Sequence, residues 1–177
     1  MAGCCGNKSK NKWVFPAAAV AVLAVVVTIG AIQAIQGSNG TGSDSANVLQ
    51  VIEEGESLVI PISEISETAK FYPVTADGTK MEVVAVTAPD GTTRAAFNTC
   101  QICYGSPYAY FVQQGSTLEC QACGNRFPMN SVGIFAGGCN PVPIFDRDKT
   151  VTAESIIISY ETLQAKSYMF SANWKTQ

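Results

Sequence analysis

TCQICYGSPYAYFVQQGSTLECQACGNRFPMNSVGIFAGGCNP, residues 99–141, is the stretch on which every other part of the chain depends. Cys100 and Cys103 form one C-x2-C pair and Cys120 and Cys123 a second. Sixteen residues separate the pairs, and Cys139 follows in a Gly-Gly-Cys-Asn-Pro turn. Two such knuckles at this separation suit a thiolate-bound metal. The candidate ligands are Cys100, Cys103, Cys120 and Cys123. Cys139 is either a free or buried thiol in a tight turn, or a ligand in place of one knuckle cysteine, or a near neighbour that tunes the metal. Four thiolates hold Zn²⁺, a single iron or an iron–sulfur cluster, and outside a reducing compartment they also pair as disulfides. Spacing alone favours structural zinc, the commoner occupant. Zinc knuckles, however, mostly stabilise domains too small for a core, and about 125 residues of β-rich chain bury one unaided.

The 177-residue chain contains no histidine. That excludes imidazole ligands, Ser-His-Asp and Cys-His catalysis, and c-type haem, whose C-x-x-C-H needs a histidine where Tyr104 and Gly124 stand. Three of the eleven basic residues, Lys8, Lys10 and Lys12, precede residue 13, and none of the fourteen acidic residues does. Eight basic against fourteen acidic side chains remain, about −6, a poor match for nucleic acid.

Residues 13–36 carry no charge. As a helix, Val14 to Ile35 would span roughly 33 Å, enough for a hydrocarbon core of about 30 Å. Pro16 falls in the first turn and Trp13 where an interfacial aromatic is expected. The expected plan is a cytoplasmic tail over residues 1–12, a single transmembrane helix over 13–36, a Gly/Ser linker over 37–50 and an extracytoplasmic domain over 51–177, oriented by the three lysines. A cleaved signal peptide would have a shorter apolar run, although Ala31 and Ala34 supply small residues. A lipoprotein would place a cysteine after the run. Cys4 and Cys5 lie before it, as free thiols or acylation sites in a polar tail.

The body reads as mainly β, in small antiparallel sheets of ribbon type with metal-binding loops. Strands are expected at Val59–Ile62, Lys70–Thr75, Met81–Thr87 and Thr93–Asn98, with turns at Asp77-Gly78 and Asp90-Gly91. Glu53, Glu54 and Glu56 form a solvated edge, and Ser63–Glu67 a capped helical turn. Tyr108–Gln113 and Thr117–Glu119 make a hairpin between the knuckles, whose loops aim N–H groups at sulfur while Gly124 relieves crowding. Arg126-Phe127 pairs with Ser131–Phe135, Val142–Phe145 leaves the third loop, and Val151–Ser159 is a final strand. Tyr160–Lys166 is a short helix, and Tyr168, Phe170 and Trp174 close the core. Tyr104, Tyr108, Tyr110 and Phe111 read as core and hairpin-face residues, and Arg126 as a surface arginine.

Two resemblances enter at this point. The order of short strands, first ligand loop, hairpin, second ligand loop, aromatic (Phe127), Gly turn (Gly133) and Pro-containing third loop resembles the Rieske iron–sulfur domain over roughly residues 55–145. Cys103 and Cys123 stand where that family has histidines, and the first loop is one residue longer. The high Rieske potential comes from those imidazoles. The string TCQICYG, LECQACGNRF and GGCNPVPI is closer to the FtrD-like membrane iron–sulfur family. That resemblance implies a membrane-bound protein with a cluster or single iron on Cys100, Cys103, Cys120 and Cys123, with Cys139 undecided, associated with iron uptake and hence with a membrane permease or redox partner. The expected function is electron transfer rather than enzymatic turnover. The alternatives are a structural zinc module, a thiol–disulfide oxidoreductase, against which neither C-x-x-C opens a helix, and transient metal carriage.

Overall fold

A computed structural model of the chain describes residues 48–176. The N-terminal tail, the apolar segment 13–36, nearly all of the linker and Cys4 and Cys5 lie outside the described residues. Among the described residues no helix is long and apolar enough to cross a membrane. The described part is mainly β, with eleven short strands and one α-helix among them.

The central sheet runs β1 (Gln50–Ile52), β3 (Lys70–Ala76), β4 (Thr79–Thr87), β5 (Thr93–Cys100) and β9 (Pro141–Pro143) in that spatial order. It is antiparallel except where β1 joins β3. Alternation in β4 and β5 divides the side chains between two cores. Met81, Val83, Ala85, Ala95 and Phe97 enter one core; Val84, Val86, Ala96 and Cys100 enter the other. A strand buried on both faces needs a near-continuous apolar run, which MEVVAV supplies. The Asp77-Gly78 turn joins β3 to β4 with both residues at positive φ (51° and 68°), as a two-residue hairpin with this sequence requires.

The first core is covered by β2 (Ser57–Pro61), β10 (Thr150–Val151) and β11 (Ser155–Ser159), with the helix α1 (Tyr160–Gln164) following. Leu58, Ile60, Ile156 and Ile158 point inward, and Val59 between them is exposed, the period-two pattern of a sheet wet on one side. Ser159 caps α1 by accepting from the Thr162 N–H. The second core is covered by β6 (Phe111–Gln114), β7 (Thr117–Cys120) and β8 (Arg126–Pro128), the hairpin sheet that carries the cysteines.

Asn98 joins the central sheet to this hairpin sheet. Its Oδ1 accepts from the Phe111 N–H at 2.8 Å, and its Nδ2 donates to Glu82 at 2.8 Å. Glu82, buried on β4, also receives the Lys175 ammonium at 2.7 Å. That ammonium lies 5.3–5.8 Å from the ring centres of Tyr110, Phe71 and Trp174, close enough for cation–π attraction. A buried carboxylate is tolerated only with such partners.

Several sequence expectations need correction. Ser131–Phe135 is not a strand: Met129–Ser131 is a 3-10 turn, and β8 pairs with β7 instead. Residues 151–159 are two strands, because Thr152 bonds back to Ser155 and folds the chain over. Tyr104, Tyr108 and Tyr168 are exposed, whereas Phe111, Phe170 and Trp174 are buried as expected. The 3-10 turn Ile62–Glu64 has no side-chain cap, and the parallel strand β1 had no sequence signal. The expected strands at 59–62, 70–75, 81–87 and 93–98 all match strands to within a few residues.

Gly133 separates steric from conformational demand. Its φ is +72°, and a Cβ there would sit 2.7 Å from the Ala95 carbonyl oxygen. Gly115 has φ +59° with nothing within 4 Å. Gly133→Ala is therefore expected to cost about 2–4 kcal/mol from strain plus overpacking, and Gly115→Ala about 1 kcal/mol from strain alone. Chemical denaturation midpoints of the two variants check the difference.

Candidate metal centre

Three loops bring the cysteines to one place. The first is launched by a bulge in β5: Phe97 faces Val142 and Cys100 faces Pro141, so β5 gains two residues on its partner. Such bulges re-aim side chains, and here the extra residues are bonded individually, Asn98 to β6 and Thr99 Oγ1 to the Met169 carbonyl at 2.9 Å. The loop closes when the Cys100 N–H donates to the Ala109 carbonyl at 3.1 Å. The Trp174 indole donates to the same oxygen at 3.3 Å, and the Lys175 N–H donates to Pro107 at 2.9 Å. The C-terminal segment therefore straps the first loop from behind.

The second loop follows β7. Gly124 donates its N–H to the Cys120 carbonyl at 2.8 Å and has φ +71°. A Cβ there would meet nothing within 4 Å, so the glycine answers a backbone requirement and not crowding. The N–H groups of Ala122 and Cys123 are directed at the Cys120 sulfur, and that of Asn125 at the Cys123 sulfur. The third loop carries Cys139 and is tied to both others. Gln101 N–H donates to the Asn140 carbonyl, and Asn125 Nδ2 donates to the Cys139 carbonyl at 2.7 Å. Gly137 N–H donates to Gln101 Oε1 at 3.2 Å.

The sulfurs of Cys100, Cys103, Cys120 and Cys139 all lie within 4.8 Å of one another. Cys100 and Cys120 are buried, Cys103 and Cys139 half-buried. Cys123 is exposed at the rim, with its sulfur 2.8 Å from that of Cys139, and Cys139 is 3.2 Å from Cys100. The third-loop cysteine, undecided from sequence, thus stands inside the group, and Cys123 stands at its edge. Asn98, Glu82, Asn125 and Lys175, which brace the loops, were not found from sequence. Asn98 left one signal, an amide at the inward position between Ala96 and Cys100.

Burial, followed by contact with Cys100 and Cys123, pushes the Cys103 thiol up to about 12. Burial, then the contacts with Cys123 and Cys100, raises Cys139 further. Burial also raises Cys120, opposed by the two knuckle N–H groups. Cys123 is lowered, first by the hydrogen bond from Cys139 and then by the Asn125 N–H. Such a group resists ionising in succession without a cation to offset the accumulating charge. The donor set suits one: sulfurs 2.3 Å from a common ion stand about 3.8 Å apart, compatible with the observed group.

Fold and sulfurs together define a small β domain with a polythiolate site of the kind that binds metal. The chain belongs to the family described as membrane iron-sulfur containing protein FtrD-like, whose model matches residues 65–170 and so includes all five of these cysteines. No curated protein and no solved structure matches it.

Because Cys103, Cys120 and Cys139 are all held above the ordinary thiol range in the metal-free protein, cation uptake by these ligands expels at least three protons. Affinity for a thiophilic probe such as Cd²⁺ is expected to rise at least about 1000-fold per pH unit between pH 6 and 8, about tenfold for each proton displaced. Competition against a chelator at several pH values measures the slope.

Proposed function

We propose that the protein is a membrane-anchored electron carrier whose extracytoplasmic β domain holds a cysteine-ligated iron centre, either an iron–sulfur cluster or a single iron. The convergence of five thiol sulfurs from three loops, in a chain of this family, carries that conclusion. Cys100, Cys103, Cys120 and Cys139 are the ligands the geometry favours, with Cys123 the alternative to Cys139. The proposed plan places residues 1–12 in the cytoplasm, 13–36 in the bilayer and the remainder outside, as the lysines before the apolar run and its length support.

A bound iron centre supplies reversible one-electron chemistry. The chain's own residues provide its setting. Phe111, Leu118 and Phe127 keep water from the inner side of the sulfurs. The knuckle N–H groups are directed at sulfur, where they stabilise thiolate charge and so favour the reduced state. No proton transfer is required of any side chain. The order of first loop, hairpin, second loop and Pro-containing third loop supports a Rieske-like plan, in which Cys103 and Cys123 occupy the histidine places and a lower potential follows. Service beside an iron permease, setting the oxidation state it accepts, is the role we assign within a membrane.

Two observations bear on other occupants. Sulfurs all within 4.8 Å suit a single ion, since a cluster distributes its thiolates over different irons. A purely structural zinc is disfavoured because the domain buries a first hydrophobic core away from the cysteines, although the second core includes Cys100 and Cys120. Iron and acid-labile sulfide analysis with an EPR spectrum of the reduced protein decides: sulfide present gives the cluster, iron without sulfide the single ion, and zinc alone overturns the electron-transfer assignment. Cys120→Ser is expected to abolish visible absorption and lower the unfolding temperature together, because binding and folding are coupled.

A further inference from the structure

Eleven large apolar side chains are exposed among the described residues, and six of them lie at the cysteine end. Ile102, Tyr104 and Tyr108 stand on the first loop, Ile134 and Phe135 precede Cys139, and Tyr168 packs edge-on against Tyr104 at 6.3 Å. Exposure of single apolar residues is ordinary. The charge distribution is not. Between Ala95 and Phe145 the only charged side chains are Glu119 and Arg126, and they pair with each other at 2.8 Å. In a domain of about −6 the three cysteine loops therefore carry one ion pair and no other charge, while Arg147, Asp148, Glu161 and Lys166 line the groove that adjoins them at Gln101 and Ala136. A partner recognised by complementary charge finds little on the loops themselves.

The attachment point bears on what covers this face. Gln50 stands opposite Val74, and Val74 opposite Met81. Met81 lies two residues beyond the Val83–Phe97 pair, in the direction in which β5 runs to Cys100. The chain thus enters the sheet level with the cysteine end, three strand spacings away, about 14 Å. Fourteen residues separate Ile35 from Gln50, a reach of at most about 50 Å.

We propose that the cysteine end seats in the interfacial layer of the lipid bilayer, so that the metal centre faces the membrane. Tyrosine favours that layer, and the single arginine on the cysteine loops is paired with Glu119, so apolar burial and not anionic lipid supplies most of the seat. A short tether raises the effective concentration of the face at the surface, so modest apolar burial suffices. The seat rests on anchoring through Val14–Ile35, as proposed above.

The test uses the full chain in nanodiscs of phosphatidylcholine brominated on its acyl chains, with Phe135→Trp as reporter and the wild type, which has Trp13 and Trp174, as background. Emission from the added tryptophan is expected to fall at least twofold relative to unbrominated lipid. Adding Ile102→Glu and Tyr168→Glu is expected to restore it. Ile134→Trp serves as reporter if Phe135→Trp does not fold. An unquenched reporter overturns the proposal. So does a reporter shielded in native membranes but not in pure lipid, which identifies a protein partner. Iron content of the same samples separates the two claims: normal iron with no quenching overturns the seat alone, and quenching without iron overturns the electron-transfer assignment alone.

Discussion

The burial of β5 on both faces is the constraint from which the metal centre follows. Ala95 and Phe97 are held in one core, and Ala96 and Cys100 in the other. A strand so held cannot slip by one residue without moving every side chain to the wrong core. Cys100 is therefore placed by packing before any metal is considered. The bulge at Asn98 and Thr99 then spends two residues on bonds to β6 and to the C-terminal segment. The other cysteines are positioned relative to Cys100, through the Ala109 carbonyl, the Gln101–Asn140 bond and the hairpin packed on the second core.

Local signals in this chain were readable, and distant ones were not. The Asp-Gly turns and alternating runs located β3, β4 and β5, because hairpins are set by neighbouring residues. The two knuckles announced themselves by spacing. The parallel pairing of β1 with β3, the strapping by Trp174 and Lys175, and the position of Cys139 all depend on residues far apart in sequence. Glu82 shows the difficulty. Within MEVVAV a lone glutamate marks the wet side of a strand, yet here it is buried, because a lysine 93 residues later and an amide on the next strand are brought to it. The exposed tyrosines failed in the opposite sense. Aromatics between knuckles look like core, but loops that deliver sulfurs inward turn their intervening side chains outward.

The polar network and the sulfur group obey one rule with different means. A buried charge persists only when something opposite stands beside it. Glu82 has Lys175, itself held among three aromatic rings. The thiols have backbone N–H groups for part of their charge, and a cation among them would offset the rest. Where the first arrangement is complete in the protein alone, the second leaves charge that a bound cation would offset.

The strap on the first loop also imposes an order of assembly. Trp174 follows Cys139 by thirty-five residues, so a ribosome delivers all five thiols before it delivers the residues that fasten Pro107 and Ala109. A cation that arrives while the chain is still lengthening meets sulfurs that are free to swing. One that arrives after release meets loops already fastened, with Cys123 exposed and Cys103 and Cys139 half-buried on the open side.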